Sequence, residues 1–412
     1  MTSCALPPPT LQPTLSPNTS PRSVEYAPLP TPAEPVRLQH SEGHLAFGIN
    51  LLRQLAAQKP NENVFISPPN IALALGMAAN GAGGETLAEM LRVLGGEAAT
   101  LDQLNADYLA LRSLLSRDQA GLLLDSAASV WLRRGFTPKS SYLERVQQVF
   151  GARAEALDFN DPAALGAINR WVSERTRGRI PQVVDQVPAE VVMLLVAAIY
   201  FKGDWQTPFD EKATQDQPFT LASGAQVQVP LMFQSGKFAH VRGEGFQAVR
   251  LPYVGGDMWM TVLVPDEGRA LSELINALDA AQWQSWSQQF VRREGDVFLP
   301  RFRLRYRAGL NEALVALGIE RAFAPERADF RNMADEPLFI NAVRHEAFLE
   351  VNEQGSEAAA ATTVEMGITA FMPETERFVL RADRPFLVVI EDRRVNVPLF
   401  LGAVFDPTRE SI

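Results

Sequence analysis

The chain has 412 residues, 46% of them hydrophobic, with 38 basic against 48 acidic side chains and a net charge of −10. That length and apolar content supply a large core, and the acidic balance argues against nucleic acid, which wants a basic face. The single cysteine, Cys4, excludes an intramolecular disulfide framework, and no apolar run reaches the roughly 18 residues of a membrane-crossing helix.

Residues 1–36 are rich in Pro, Ser and Thr and poor in large apolar groups. Such a segment buries too little surface to offset its ordering entropy, so it reads as a disordered tail or tether ahead of one domain over 37–412. Met1-Thr-Ser-Cys-Ala has no hydrophobic signal region. Cys4 is either a chance cysteine or the remnant of a bacterial lipoprotein processing box, which would tether the protein to a surface. Asn18-Thr-Ser matches the glycosylation sequon, a match too short to weigh.

Leu45, Ile49, Leu52 and Leu55 recur at three and four residues and predict an amphipathic helix over 42–57. Further helices are predicted over 71–80, ended by Gly81, and over 85–94, stopped by Gly95-Gly96. Others follow over 101–115, 139–150, 162–176 and 271–288. Buried strands are predicted over 194–201, 258–264, 386–390 and 399–405, and residues 348–353 alternate in the manner of a strand. Helices lie mostly early and strands mostly late, an α+β pattern. No internal repeat is visible.

Residues 355–366, Gly-Ser-Glu-Ala-Ala-Ala-Ala-Thr-Thr-Val-Glu-Met, hold no proline and nothing bulky before Val364. At period two, Ser356, Ala358, Ala360, Thr362 and Val364 share one face, while Glu357 and Glu365 share the other. The segment fits a sheet with both carboxylates outward, yet Ala and Gly are poor strand formers. It reads as a loop that can become a strand; alone, it would equally suit a solvated linker or a short alanine helix.

Enzyme signatures are missing. There is no Gly-x-Ser-x-Gly elbow and no phosphate-binding Gly-Lys-Ser/Thr. His345-Glu346 opens a zinc-protease pattern, but Leu349 stands where the second histidine belongs. Gly81-Ala-Gly-Gly-Glu-Thr lacks the third glycine of a dinucleotide loop. His40, His44, His240 and His345 are scattered, so no metal or cofactor is expected.

The flanking motifs identify the loop. The stretch 345–365 resembles the reactive-loop hinge of the serpins, the serine protease inhibitor family. So do Arg384-Pro-Phe-Leu-Val-Val-Ile and Pro398-Leu-Phe-Leu-Gly-Ala-Val-Phe-Asp-Pro. Upstream, Asn63-Val-Phe-Ile-Ser-Pro is similar to the family's buried strand before its second helix, and 198–209 to its central strand and breach. Leu251-Pro-Tyr, Val262-Leu-Val-Pro-Asp-Glu and Leu299-Pro-Arg-Phe also match. The resemblance covers roughly residues 40–410, in family order.

It implies a serpin fold with large mixed β-sheets, about eight to nine helices and an exposed reactive loop near 354–378. It implies a monomeric suicide inhibitor: a serine protease cuts the loop, is acylated, and is trapped as the loop inserts. Glu353, Gly355, Ser356, Glu357, Ala358, Ala359, Ala360, Ala361 and Thr362 fall on the hinge. The cut, about fourteen residues past the hinge glycine, falls at Thr369-Ala370, with Ile368 within the register error. No Arg or Lys lies near it, which disfavours trypsin-like enzymes. Elastase- or subtilisin-like targets fit a small residue, and Phe371 or Met372 would draw a chymotrypsin-like one. Ser67 and His345 fall on the shutter, where the sheet opens, and Trp205 on the breach at its top. Asn70 and Ala197 depart from the family's Ser and Asn. The expectation is a compensated swap in which the Asn70 amide replaces the hydrogen bond lost at position 197. A non-inhibitory binding or chaperone-like serpin is the alternative function. Localisation reads as extracellular or cell-surface, though an intracellular serpin would look similar. Abundant Ala and Arg suggest a GC-rich bacterial source.

Overall fold

The computed structural model describes residues 35–188, 190–356, 377–395 and 397–410. The Val36 N–H already donates to the Arg394 carbonyl at 2.7 Å, and Val36 packs on the core. Helix α1 (Ser41–Gln58) buries Leu45, Ile49, Leu52 and Leu55, the expected stripe. Strand β1 (Val64–Ile66) leads into α2 (Pro68–Gly81), whose Pro68 costs nothing where no intrahelical N–H bond is made. Helix α2 is buried on every face because it packs against strands of both sheets described below.

Next come α3 (Gly84–Gly95) and α4 (Leu101–Leu114), the latter opened by a Thr100–Gln103 capping box. Strands β2 (Arg117–Gln119) and β3 (Leu122–Arg133) precede α5 (Ser140–Phe150), which Gly151 closes in the left-handed region at φ 56°. Strand β4 (Arg153–Leu157), helix α6 (Pro162–Arg175) and strand β5 (Met193–Asp204) follow. A run of strands comes next: β6 (Gln215–Thr220), β7 (Gln226–Gly243), β8 (Phe246–Pro252) and β9 (Met258–Pro265).

The single helix predicted over 271–288 is two, α7 (Leu271–Ala277) and α8 (Ala280–Gln288). Asp279 splits them, its Oδ1 accepting the Gln282 N–H at 2.7 Å as an N-cap. The chain then forms β10 (Val291–Pro300), β11 (Phe302–Gly309), α9 (Asn311–Ala316), β12 (Ala342–Val351) and β13 (Gly355–Ser356). It finishes with β14 (Phe378–Arg381), β15 (Phe386–Asp392) and β16 (Pro398–Val404).

One sheet of nine strands runs β1-β16-β15-β9-β8-β7-β10-β14, with β6 on β7; the other, of seven, runs β11-β12-β5-β3-β2, with β13 on β5 and β4 on β3. Both are mixed: β10/β14, β12/β5 and β3/β4 pair parallel, the rest antiparallel. With nine α-helices among the described residues, the class is α+β as expected. A main core joins α1 and α2 to the inner faces of both sheets. A second, smaller core lies on the other face of the seven-stranded sheet. There Ile168, Trp171 and Val172 of α6 and the following Ile180, Val183 and Val184 cover Ala127, Trp131, Leu194, Val196 and Ala198.

Candidate functional site

The site is the seam between β5 and β12. These strands pair parallel from Leu194↔Ala342 to Tyr200↔Phe348. Beyond Phe348 they part: β12 stays with β11 as far as Val351↔Phe302, but leaves β5. The chain turns back at residues 352–354, and β13 pairs antiparallel with β5 through Gly355↔Asp204 and Ser356↔Gly203. The far edge of β5 belongs to β3, through Leu122↔Gly203. Strand β13 therefore sits on the edge of β5 that β12 vacates, at the upper mouth of the seam.

Polar contacts hold that mouth. Asn352 makes the turn, its Oδ1 accepting the N–H groups of Gln354 at 3.0 Å and Gly355 at 3.2 Å. Trp205 donates its backbone N–H to the Gln354 carbonyl at 2.8 Å and its indole Nε1–H to the Asn352 carbonyl at 2.9 Å. The Phe209 N–H reaches the Glu353 carbonyl at 2.8 Å. The buried Glu353 carboxylate accepts Arg301 Nε–H at 2.7 Å on both oxygens and also the Thr214 hydroxyl. Burial would raise its pKa, but these donors win and hold it below the usual Glu value. Trp205 stacks on Tyr253 at 4.6 Å, and the Tyr253 hydroxyl meets Ser356 Oγ at 3.0 Å, both fully buried. Gly355 has φ 151°, and a Cβ there would strike the backbone of Gly203, Asp204 and Trp205, so only glycine fits.

Lower in the seam stands His345, fully buried, opposite Ala197. Its Nδ1 bonds the Ala197 carbonyl at 2.9 Å, and its Nε2 accepts the Ser67 N–H at 3.3 Å. Those partners fix the neutral tautomer with the proton on Nδ1. Burial pushes its pKa down to about 4, against the carbonyl bond that would raise it. One imidazole thus ties β12 to β5 and to the start of α2.

The expected swap between Asn70 and Ala197 is not made. Asn70 is fully buried, yet neither atom of its amide head, nor Ser67 Oγ, has a hydrogen-bond partner among the described residues. The backbone carbonyl of Ala197 takes the histidine proton directly, so losing a polar side chain at 197 leaves His345 nothing to replace.

Of the sequence-predicted residues, the structure brings Glu353, Gly355 and Ser356 to the Trp205 segment and Ser67 to the His345–Ala197 pair, with Asn70 buried in the first turn of α2. Glu357, Ala358, Ala359, Ala360, Ala361, Thr362, Thr369, Ala370 and Cys4 lie outside the described residues. His345 lies on a strand, not the helix a zinc-protease pattern needs. His40 and His44 do converge, both within 3.4 Å of Asp107 Oδ2, but no group of three or more candidate metal ligands occurs among the described residues. Sequence reading missed Tyr253, Arg301, Thr214 and Asn352. The Tyr253 of Leu251-Pro-Tyr was visible as a motif, but its partner Ser356 lies 103 residues away.

Comparisons with known proteins agree on one family. The family profile described as "Serpin (serine protease inhibitor)" matches residues 42–407. An uncharacterized serpin-like protein of Thermococcus kodakarensis is 33% identical over 404 residues, 96% of this chain and 93% of its own. The leukocyte elastase inhibitor of Sus scrofa is 35% identical over 385 residues, 90% of this chain and all of its own. Among solved structures, the thermophilic serpin tengpin in its native state superposes with a TM-score of 0.83 at 28% identity, over 90% of this chain and 95% of that one.

Proposed function

The chain belongs to the serpin family, and on that premise we propose that it is a monomeric suicide inhibitor of serine proteases, sprung by insertion of the segment after Ser356. The observation that carries this reading is the docked hinge: Gly355 and Ser356 already pair with β5, antiparallel, at the mouth of the seam. Continuing their register, 355↔204 and 356↔203, would place residue 365 opposite Leu194, where the β5/β12 pairing begins. The inserted strand would run antiparallel to both neighbours, replacing one parallel pairing with two antiparallel ones.

The residue pattern suits that path. Ser356 faces inward and is buried, so Ala358, Ala360, Thr362 and Val364 would follow it to the same face, with Glu357 and Glu365 outward. Roughly ten new ladder bonds at about 1 kcal/mol each would favour the inserted state by the order of 10 kcal/mol. The active form is then held by a barrier and not by depth. Ser67, His345 and Ala197 form the shutter that must part; Trp205, with Glu353 and Gly355, forms the breach where entry starts. Asn70 lines the shutter without bonding it.

The scissile bond is Thr369-Ala370, within reach of elastase- and subtilisin-like enzymes, and the role suits a location outside the cytoplasm. No helix among the described residues is long and apolar enough to cross a membrane. The test is incubation with elastase, subtilisin and chymotrypsin, read on denaturing gels and by mass spectrometry of the released peptide. A detergent-stable complex and a peptide starting at Ala370 are expected. Ala358→Arg would drive a charge into the sheet, slow insertion and turn the inhibitor into a substrate. Cleavage without any complex would overturn the reading in favour of a non-inhibitory, binding serpin.

A further inference from the structure

A cavity of about 130 Å³ is lined by Trp205 and Phe209, the two residues whose N–H groups bond the docked hinge. Trp205, Phe209, Phe238, Leu251 and Pro252 give it an apolar wall, Gln206, Thr207 and Gln234 a neutral polar one, and Lys237 and Arg292 also line it. A cavity of about 150 Å³ can hold a benzene ring, so in size this one has room for a single ring, with polar groups of the lining left for a substituent. The two cations differ. Lys237 Nζ is engaged by Glu294 at 3.6 Å, whereas the Arg292 side chain has no hydrogen-bond or ion-pair partner among the described residues. A guanidinium presents five donors and no acceptor, and its natural complement is a carboxylate held by two parallel bonds.

We propose that this cavity is a binding site for a small arylcarboxylate, its ring against Trp205 and Phe238 and its carboxylate on Arg292. The wall also holds the hinge. Trp205 donates to the Gln354 and Asn352 carbonyls, and Phe209 donates to the Glu353 carbonyl. A ligand that packs on Trp205 and Phe209 in these positions binds the docked hinge better than the released one. By linkage it stabilises the docked state, so the site is an effector site for hinge release. The bearing on protease inhibition rests on the function proposed above; binding and coupling do not.

The experiment uses the full chain without any protease. Calorimetric titration to millimolar 3-phenylpropanoate is compared with the neutral, isosteric 3-phenylpropanamide, on the wild type, Arg292→Gln and Lys237→Gln. The acid is expected to bind about tenfold more tightly than the amide, the size of one charge-assisted contact. Arg292→Gln erases that preference, and Lys237→Gln reduces it less, because Glu294 already occupies the lysine. Amide exchange at residues 352–356 slows several-fold with the acid bound. Equal binding of acid and amide, binding by neither, or an unaltered preference in Arg292→Gln overturns the site. Binding that leaves exchange at 352–356 unchanged overturns the coupling. A chain that binds the acid yet traps no protease refutes the inhibitor reading and leaves the site standing.

Discussion

The two ends of the β5/β12 seam are built on different principles. At the mouth, residues 352–356 are held by backbone bonds from Trp205 and Phe209, an Arg301–Glu353 ion pair, and the Tyr253–Ser356 contact. Lower down, one neutral imidazole joins three elements, and the amide of Asn70 in the first turn of α2 has no partner among the described residues. The mouth is over-determined, so removing one polar partner leaves the others. In the lower seam the β5/β12 backbone ladder runs through seven register pairs, and His345 is the side chain that adds a tie to a third element. If the seam opens as proposed, the hinge stays seated by many polar contacts, while the cost of opening falls on the backbone ladder and on His345.

The sharpest way to break the contrast is Gly355→Val. No rearrangement of side chains relieves a Cβ pressed on the backbone of Gly203, Asp204 and Trp205. Amide exchange at 352–356 should quicken by at least about tenfold, the signature of a docked segment set free. Unchanged exchange would mean that backbone packing does not seat the hinge.

His345→Ala comes next. It leaves the Ser67 N–H without the acceptor it has and takes one bond from the Ala197 carbonyl, at about 1–3 kcal/mol for the buried N–H. Calorimetry should show Tm lower by several degrees and loop insertion on mild heating should be faster. A shift under one degree would show the shutter to be as redundant as the mouth.

Glu353→Gln should be milder, near 1–2 kcal/mol, because Arg301 is half exposed and its pairing is screened. Hinge exchange should rise while Tm barely moves.

Acid separates the two ends without mutation. The folded pKa of His345, about 4, lies below the ordinary 6.5, so the unfolded chain takes its proton first. The contribution of the neutral ring is complete above pH 6.5 and is lost as pH falls from there to about 4. The Glu353 pKa is also depressed, so its contribution is complete down to about the ordinary Glu value of 4.5 and is lost only as pH falls from there, largely below the His345 window. Thermal stability followed from pH 7 to 4 should therefore fall less steeply in His345→Gln than in the wild type. Parallel curves would remove His345 as the titrating group.

The smallest effect has the opposite sign. Asn70→Leu replaces two unpaired buried polar atoms with an apolar group of similar shape and should raise stability by about 1 kcal/mol. A loss of that size would show that Asn70 is bonded after all.

The sequence announced most of the helices because their apolar faces repeat cleanly, as in the Leu45, Ile49, Leu52 and Leu55 stripe. It missed strands whose exposed faces are charged. Val291-Arg-Arg-Glu-Gly-Asp opens β10, yet it carries no apolar run to mark it. The rhythm of 271–288 hid the break at Asp279, because apolar residues continue across it. The start of the expected hinge, Glu353 to Ser356, was legible through composition and flanking motifs, and the small residues that follow lie outside the described residues. The residues that seat it were not. Arg301 and Thr214 meet Glu353 from 52 and 139 residues away, and no local pattern encodes such pairings. The Asn70 expectation failed for a related reason: counting polar side chains overlooked a backbone carbonyl that was available without either of them.

The pairing of β1 with β16 has a consequence for how the protein is made. Val64 lies opposite Ala403, and β15 and β16 join β1 to β9 in the nine-stranded sheet. Until β15 and β16 have been made, β1 has no neighbour in that sheet, while β5, β12 and the segment proposed to insert between them have already been synthesised. Contacts so remote along the chain form slowly. If that segment inserts as proposed, the nascent protein is in a race, in which docking of β15 and β16 must precede filling of the seam. Slowing translation, or truncating the chain before residue 398, should favour the dead-end product.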